Sequence, residues 1–244
     1  EENSRYLDSV SISIHGFENT HEKITGVMGS YKKSMKAIRN LLDSGVNTGI
    51  CYTGTKDNIS EIESFGKYVL DKYDIFYFGV NRFVPQGRGS KKRHELEPSI
   101  EEFNEIIETV GKIKKNYPKR EIKLNDSFPR CLVKNNELKD VVEFCTAGVT
   151  FANINEYGDL KLCSGSSYSI GNVLNESLED IWQNSEVLKD YRKLDWLDRR
   201  CKECEEFGKC LSGCKSTRPT EKLYCTDILL EENYNGGNHE TQNK

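Results

Sequence analysis

Seven cysteines fall between positions 145 and 225, and their spacing is the strongest chemical signal in the chain. Cys145 is followed by twelve residues, Gly158, four residues and Cys163. Cys201-x2-Cys204-x5-Cys210-x3-Cys214 comes next, and Cys225 ten residues later. Close spacings let one short loop aim several thiolates at one metal centre, while distant cysteines close the shell. Seven thiolates exceed one tetrahedral site. Cys51 and Cys131 bring the total to nine, an odd number that sits badly with a disulfide framework. With no secretory signal, clustered thiols are metal ligands more often than disulfides. Spacing alone leaves iron–sulfur clusters and structural zinc equally open, because tetrathiolate sites suit both.

The rest of the composition narrows the class. The 244 residues are 36% hydrophobic and 30% charged, as in a soluble globular protein with room for one or two domains. No apolar run approaches the roughly 18 residues that a membrane span needs, and no signal-peptide pattern opens the chain. A cytoplasmic location is the expectation. A formal charge of −4 offers no field for nucleic acid, and Lys91-Lys92-Arg93 reads as a solvated loop. The first residue is Glu1 rather than Met, which points to a chain that has lost its beginning.

Alternating strands and helices must position these groups. Residues 9–14 (SVSISI) carry a strand signature ending at His15-Gly16. Ser30 caps a predicted helix bearing Tyr31, Met35, Ile38, Leu41 and Leu42, which Gly45 stops. Residues 46–53 read as a second strand with Cys51 in the core. Ser60 and Glu63 form a predicted capping box ahead of Ile62, Phe65, Val69 and Leu70. Residues 75–84 form a third strand, apolar enough to be covered on both faces. Ser99 and Glu102 repeat the box before Phe103, Ile106, Ile107, Val110 and Ile113, and residues 121–124 form a fourth strand. This rhythm predicts a parallel sheet with crossover helices. It stops after Asp126. Residues 149–154, a turn at 155–158 and residues 159–162 then predict a hairpin ending at Cys163. Ser177 caps a helix through Trp182, and a charged helical segment runs to Trp196. His94 and His239 read as surface residues. The polar tail reads as disordered.

The pattern C-x12-G-x4-C, then C-x2-C-x5-C-x3-C, then C, resembles the SPASM domain of radical S-adenosylmethionine (SAM) enzymes. Ile170-Gly171-Asn172-Val173 and Leu178-Glu179-Asp180-Ile181-Trp182 resemble the same family between its two cysteine groups. The resemblance implies two auxiliary [4Fe–4S] clusters. It assigns Cys145, Cys163 and Cys214 to the first, and Cys201, Cys204, Cys210 and Cys225 to the second. Some members add a cysteine six residues after the first. Phe151 stands there in this chain, so the first cluster has an open iron or borrows Cys131.

Upstream, Ser11-Ile12-Ser13-Ile14-His15-Gly16, His21-Glu22-Lys23-Ile24-Thr25-Gly26 and Gly29-Ser30-Tyr31 resemble the fourth strand and following helix of a radical SAM barrel. Arg82-Phe83-Val84-Pro85-Gln86-Gly87-Arg88-Gly89 resembles its sixth strand and exit loop. The implied fold class is α/β: the C-terminal half of a partial (β/α)6 barrel over residues 1–126, a linker at 127–144, and a small SPASM domain with a hairpin and helices at 145–228. Residues 229–244 form the tail. The resemblance implies SAM contact at Ser13 and adenine packing at Val84. His15 replaces the family's Asp and is the third SAM-contact candidate. Thr25 replaces its Arg, so no SAM contact is expected there.

The C-x3-C-x2-C loop of radical SAM enzymes is missing from these residues, and the chain alone is expected to be inactive. The resemblance implies a longer parent enzyme with a third [4Fe–4S] cluster. That enzyme would oxidatively modify a peptide or protein through a 5′-deoxyadenosyl radical, with flavodoxin or ferredoxin as electron donor. A non-catalytic iron–sulfur binding or electron-transfer module, and a radical SAM enzyme acting on a small molecule, are the alternatives. No nucleic-acid or membrane partner is expected.

Overall fold

The computed structural model describes residues 4–217 and 225–231. They divide into two compact units. The first comprises Glu1–Phe83, Lys92–Asp126 and Val133–Val142, and the second Val84–Lys91, Ser127–Leu132 and Glu143–Lys244.

The first unit alternates strand and helix. Its strands are β1 (Ser9–Ser13), β2 (Asn47–Gly54), β3 (Tyr77–Arg82) and β4 (Glu121–Leu124). Between them lie α1 (Glu18–Thr25), α2 (Ser30–Asp43), α3 (Ile62–Lys72), the single turn α4 (Arg93–Leu96) and α5 (Ile100–Asn116). The strands pair in chain order, β1-β2-β3-β4, and every pair is parallel. The expected α/β class and parallel sheet are borne out. The core is the apolar stripe of each predicted helix against the central strands: Met35 and Ile38, then Ile62, Phe65 and Val69, then Phe103, Ile106, Val110 and Ile113, over Ile50, Tyr52, Phe78 and Val80. Burial removes about 25 cal/mol per Å² of apolar surface penalty, which fixes these faces inward.

Three local expectations are corrected. Gly29, not Ser30, is the N-cap of α2; its φ of 75° is one that glycine adopts without cost, and Ser30 becomes the first helical residue. The Ser60–Glu63 box does not form, because a 3₁₀ turn at Ile59–Glu61 moves the start of α3 to Ile62. The Glu61 carboxylate instead accepts from the Phe17 N–H and the Thr20 hydroxyl, where α1 begins. Helix α1 was not foreseen: Ile24 is its sole aliphatic side chain, and it buries His21 instead. The Ser99–Glu102 box does form, with both reciprocal bonds present at 3.1 and 2.8 Å. Residues 133–142 pack back onto α5: the Lys134 N–H donates to Asn104 Oδ1 at 2.8 Å, and Val142 bridges to Leu124.

In the second unit, β5 (Asn153–Ile154) and β6 (Asp159–Lys161) form the predicted hairpin, shorter than expected. A third strand, β7 (Gly171–Asn172), pairs with β6 and was not foreseen. Asn155 Oδ1 accepts from the Tyr157 and Asp159 N–H groups, and Gly158 turns at φ 82°. Here the left-handed conformation explains why glycine stands at the hairpin bend. Helices α6 (Leu178–Asn184) and α7 (Glu186–Lys193) follow, with Ser177 capping α6 through Asp180 as expected. The capped helix and the charged helical segment after it are separate helices that meet at Ser185. The short turns α8 (Arg199–Lys202) and α9 (Phe207–Cys210) carry the last dense run of cysteines. The expected disordered tail lies, from residue 232, outside the described residues.

Candidate iron–sulfur site

The first cysteine group is seated on the core of the second unit. Ala147, Leu162, Leu188 and Tyr191 are buried together, with Cys145, Cys163, Trp182 and Trp196 packed around them. The hairpin delivers Cys163 one residue after buried Leu162, and α7 supplies Leu188 and Tyr191. Tyr191 stacks on Trp196 with ring centroids 5.6 Å apart, and the Trp196 indole donates to the Tyr191 carbonyl at 2.9 Å. Arg192 lies over the Trp182 ring and donates to the Gly148 carbonyl at 2.9 Å, which ties α7 to the turn after Cys145. Burial pushes the Tyr191 hydroxyl pKa up, and Cys145, Cys163 and Cys214 push it the same way. Cys145 and Cys163 pack against the core that holds this phenol, and Cys214 lies near enough to act on it. These three cysteines are the set expected for the first cluster. Phe151 lies elsewhere: it is 47% exposed and lines an apolar pocket with Ile154, Leu160 and Trp182.

The second group lies around α8 and α9. Cys131, Cys201, Cys204 and Cys210 line one small cavity with Phe207, Leu211 and Leu230. Cys131 is exposed as a residue. Burial of its thiol pushes the pKa up to about 11, with Cys210, Cys201 and Cys204 each adding to the rise. A coordinated metal ion deprotonates a thiol outright, and thiolates are its ligands. The donor set thus fits a metal–sulfur group. Among the described residues, no three His, Cys, Asp or Glu side chains gather closely enough to hold a single ion. Cys225 does not line this cavity; its thiol donates to the Lys215 carbonyl at 3.2 Å.

Between the groups the backbone curls sharply. Leu211, Ser212 and Gly213 all have positive φ, at 49°, 64° and 73°. For Leu211 and Ser212 this costs about 1–2 kcal/mol each, and it separates Cys210 from Cys214. Two residues that the cysteine pattern did not single out hold the curl. The Lys215 ammonium, 4% exposed, donates to the Leu211 and Gly213 carbonyls. Fully buried Asp227 accepts from the Cys214 N–H at 3.0 Å. Burial lowers the Lys215 pKa, while Cys145, Cys214 and Cys210 oppose the fall. A buried cation beside an acceptor-rich loop was not legible as a lysine among thirty-five basic residues.

The SAM-contact candidates occupy strand ends. Ser13 is the last residue of β1, exposed and in register with Cys51. Val84 is half-buried just past β3, and its carbonyl accepts from the Gln86 N–H at 2.8 Å. Ser13 thus stands at the carboxyl end of β1, the end beyond which ligands bind in parallel sheets. His15 is committed to structure: Nδ1 accepts from the Thr53 N–H, its backbone N–H donates to His21 Nδ1, and Asn58 donates to its carbonyl, all at 3.1 Å. The acceptor role at Nδ1 places the neutral ring's proton on Nε2. Burial, and then His21, lower its pKa to about 4. Because the folded value lies below the unfolded one of about 6.5, the neutral ring's contribution is present above pH 6.5 and is lost as pH falls towards 4. In an NMR titration the His15 ring should therefore stay neutral at pH 5.5; half-protonation near pH 6.5 would show that this network does not form.

Residues 145–205 match the family model of the SPASM iron–sulfur cluster-binding domain. Among curated proteins, an AdoMet-dependent heme synthase of Oleidesulfovibrio alaskensis is 24% identical over 221 residues, covering 84% of this chain and 56% of that protein. The sporulation killing factor maturation protein SkfB of Bacillus subtilis is 24% identical over 201 residues, covering 82% and 45%. Among solved structures, SuiB of Streptococcus suis bound to its precursor peptide SuiA superposes with a TM-score of 0.62 at 18% identity, covering 90% of this chain and 52% of that one. The chain spans about half the length of the curated relatives it matches. No helix among the described residues is long and apolar enough to cross a membrane.

Proposed function

Because the chain carries a SPASM iron–sulfur cluster-binding domain after a parallel sheet of the radical SAM fold, we propose that it forms the carboxy-terminal part of a radical SAM/SPASM enzyme that oxidatively modifies a peptide or protein. The observation that carries this reading is the sorting of the cysteines into two separate groups, one around Tyr191 and one lining the cavity at α8 and α9. When bound, auxiliary [4Fe–4S] clusters supply one-electron transfer or a coordination position for substrate. The protein's own part is positional. The buried Tyr191 core seats Cys145 and Cys163, Asp227 and Lys215 hold the loop that presents Cys214, and Arg130 and Glu206 hold the second group. Ser13 and Val84 are the proposed contacts for SAM, with His15 supporting the strand end. Flavodoxin or ferredoxin is the proposed electron donor.

The peptide substrate is supported by the names of relatives: SkfB matures a killing factor, and SuiB is seen with its precursor peptide. The likeness to heme synthases favours a second reading, a small-molecule substrate on the same radical chemistry. Metal analysis tests the shared foundation. After anaerobic reconstitution about eight irons and eight sulfides per chain are expected from two cubanes; zinc without labile sulfide would remove the proposal. Turnover of a candidate precursor peptide by the parent enzyme, followed by mass spectrometry, then separates the two substrate classes.

A further inference from the structure

Resting on the reading of a peptide-modifying enzyme, we infer that Asn81 is a substrate-binding residue whose side-chain amide donates to a main-chain carbonyl of the peptide. Asn125 and Tyr77 hold it in the orientation this needs.

The sheet of the first unit has two chemically different faces. Ile50, Tyr52, Phe78, Val80, Ile122 and Leu124, all even-numbered, are buried in the core beneath the helices. The odd-numbered residues of the same strands form the other face, because side chains alternate along a strand. At the carboxyl ends of the strands that face becomes a polar row. Thr53 on β2 is in register with Asn81 on β3. Asn125 follows Leu124, the partner of Val80, and its N–H donates to the Val80 carbonyl at 2.9 Å. All three are half-buried. Ligands of parallel sheets bind beyond this end of the strands.

A chain of hydrogen bonds fixes which way Asn81 points. The Tyr77 hydroxyl donates to Asn125 Oδ1, and Asn125 Nδ2 donates to Asn81 Oδ1 at 2.7 Å. Gly79 leaves room for that chain, since a Cβ there would overlap both the Tyr77 hydroxyl and the Asn125 amide. Burial, and then Cys51, push the Tyr77 pKa up to about 12, so the phenol stays a donor at neutral pH. The Asn81 oxygen is therefore occupied, while its Nδ2 has no partner among the described residues. The Thr53 hydroxyl beside it has none among them either.

An amide nitrogen held in place with its hydrogens free calls for an acceptor. The row itself carries no charge that would select a carboxylate. Lys123, in register with Gly79 on the same face, bridges Glu121 at 2.8 Å. An ionised ligand would be costly to desolvate there without a paired charge. A peptide carbonyl is neutral and recurs along an extended chain, so one peptide can reach donors on strands about 4.8 Å apart.

The test is an NMR titration of the full chain with blocked triglycine (N-acetylated and C-amidated), which offers main-chain amides and no side chains. The Asn81 side-chain amide resonances should shift and saturate, with a Kd of roughly 10 mM or tighter, as a few hydrogen bonds provide. Sodium acetate should leave them in place. Asn81→Asp keeps an oxygen for Asn125 but turns the outward donor into an acceptor. It should weaken triglycine binding, read at the Asn125 amide, by about fivefold or more. Tyr77→Phe, which removes only the hydroxyl that orients Asn125, should weaken it as well. Wild-type resonances that ignore triglycine overturn the inference, as does an Asn81→Asp chain that binds like wild type. Saturable shifts at Asn81 with SAM and none with triglycine would also overturn it, by making Asn81 a cofactor contact. A wild type that takes up no iron would bring down the iron–sulfur reading and leave this titration standing, so the two failures are distinct.

Discussion

Cys204→Ala is expected to abolish one cluster and spare the other, and Cys163→Ala to do the reverse, each lowering iron from about eight to about four per chain. The two positions belong to groups that do not share a sulfur. Cys204 lines the cavity with Cys131, Cys201 and Cys210, while Cys163 joins Cys145 and Cys214 around Tyr191. The chain passes between them through the left-handed curl at Leu211–Gly213, which lets Cys210 and Cys214 serve different shells although only three residues separate them. Because thiolate ligation contributes free energy to folding, each variant should also unfold at a lower temperature than wild type. Iron counts and electron paramagnetic resonance on the two reduced variants check the partition. Loss of the same signal in both would show that the cysteines form one shared centre.

Leu188→Ala is expected to destabilise the second unit by about 2–5 kcal/mol, the usual range for a fully buried leucine. Leu188 has no exposed surface and packs with Ala147, Leu162 and Tyr191, the residues on which Cys145 and Cys163 rest. A cavity there loosens the seat of the first group, so that cluster should be lost more readily to a chelator than the second. Leu178→Ala is the control. Leu178 is 49% exposed at the start of α6, and a surface change of this kind stays within about 0.5 kcal/mol. Urea unfolding with timed chelation measures both effects. Equal behaviour of the two variants would show that the Tyr191 core does not support the cysteines.

Local patterns in the sequence were informative where the interaction itself is local. Ser99 and Glu102 exchange hydrogen bonds within one helical turn, so residue type and spacing sufficed. Ser60 and Glu63 have the same spacing and fail, because Glu61 is bound to residues forty and more positions away and the chain enters α3 through a 3₁₀ turn. Helix α1 escaped notice for a related reason. Its buried face is His21, which the structure satisfies through the His15 backbone, and no apolar period announces such a face.

The cysteine spacing, the alternation of strands and helices, and the glycine at the hairpin bend were all determined by the sequence itself. Each depends on residues a few positions apart, where covalent geometry leaves few choices. Tertiary structure alone decided which thiols share a cavity. Cys131 reaches Cys201, Cys204 and Cys210 across some seventy residues or more, and nothing in its own surroundings, Pro129-Arg130-Cys131-Leu132, specifies that partner. The same holds for Lys215 and Asp227, whose burial against carbonyls and the Cys214 amide makes them structural. Such contacts form only when the whole unit has folded, because their free energy comes from burial that no short segment achieves alone.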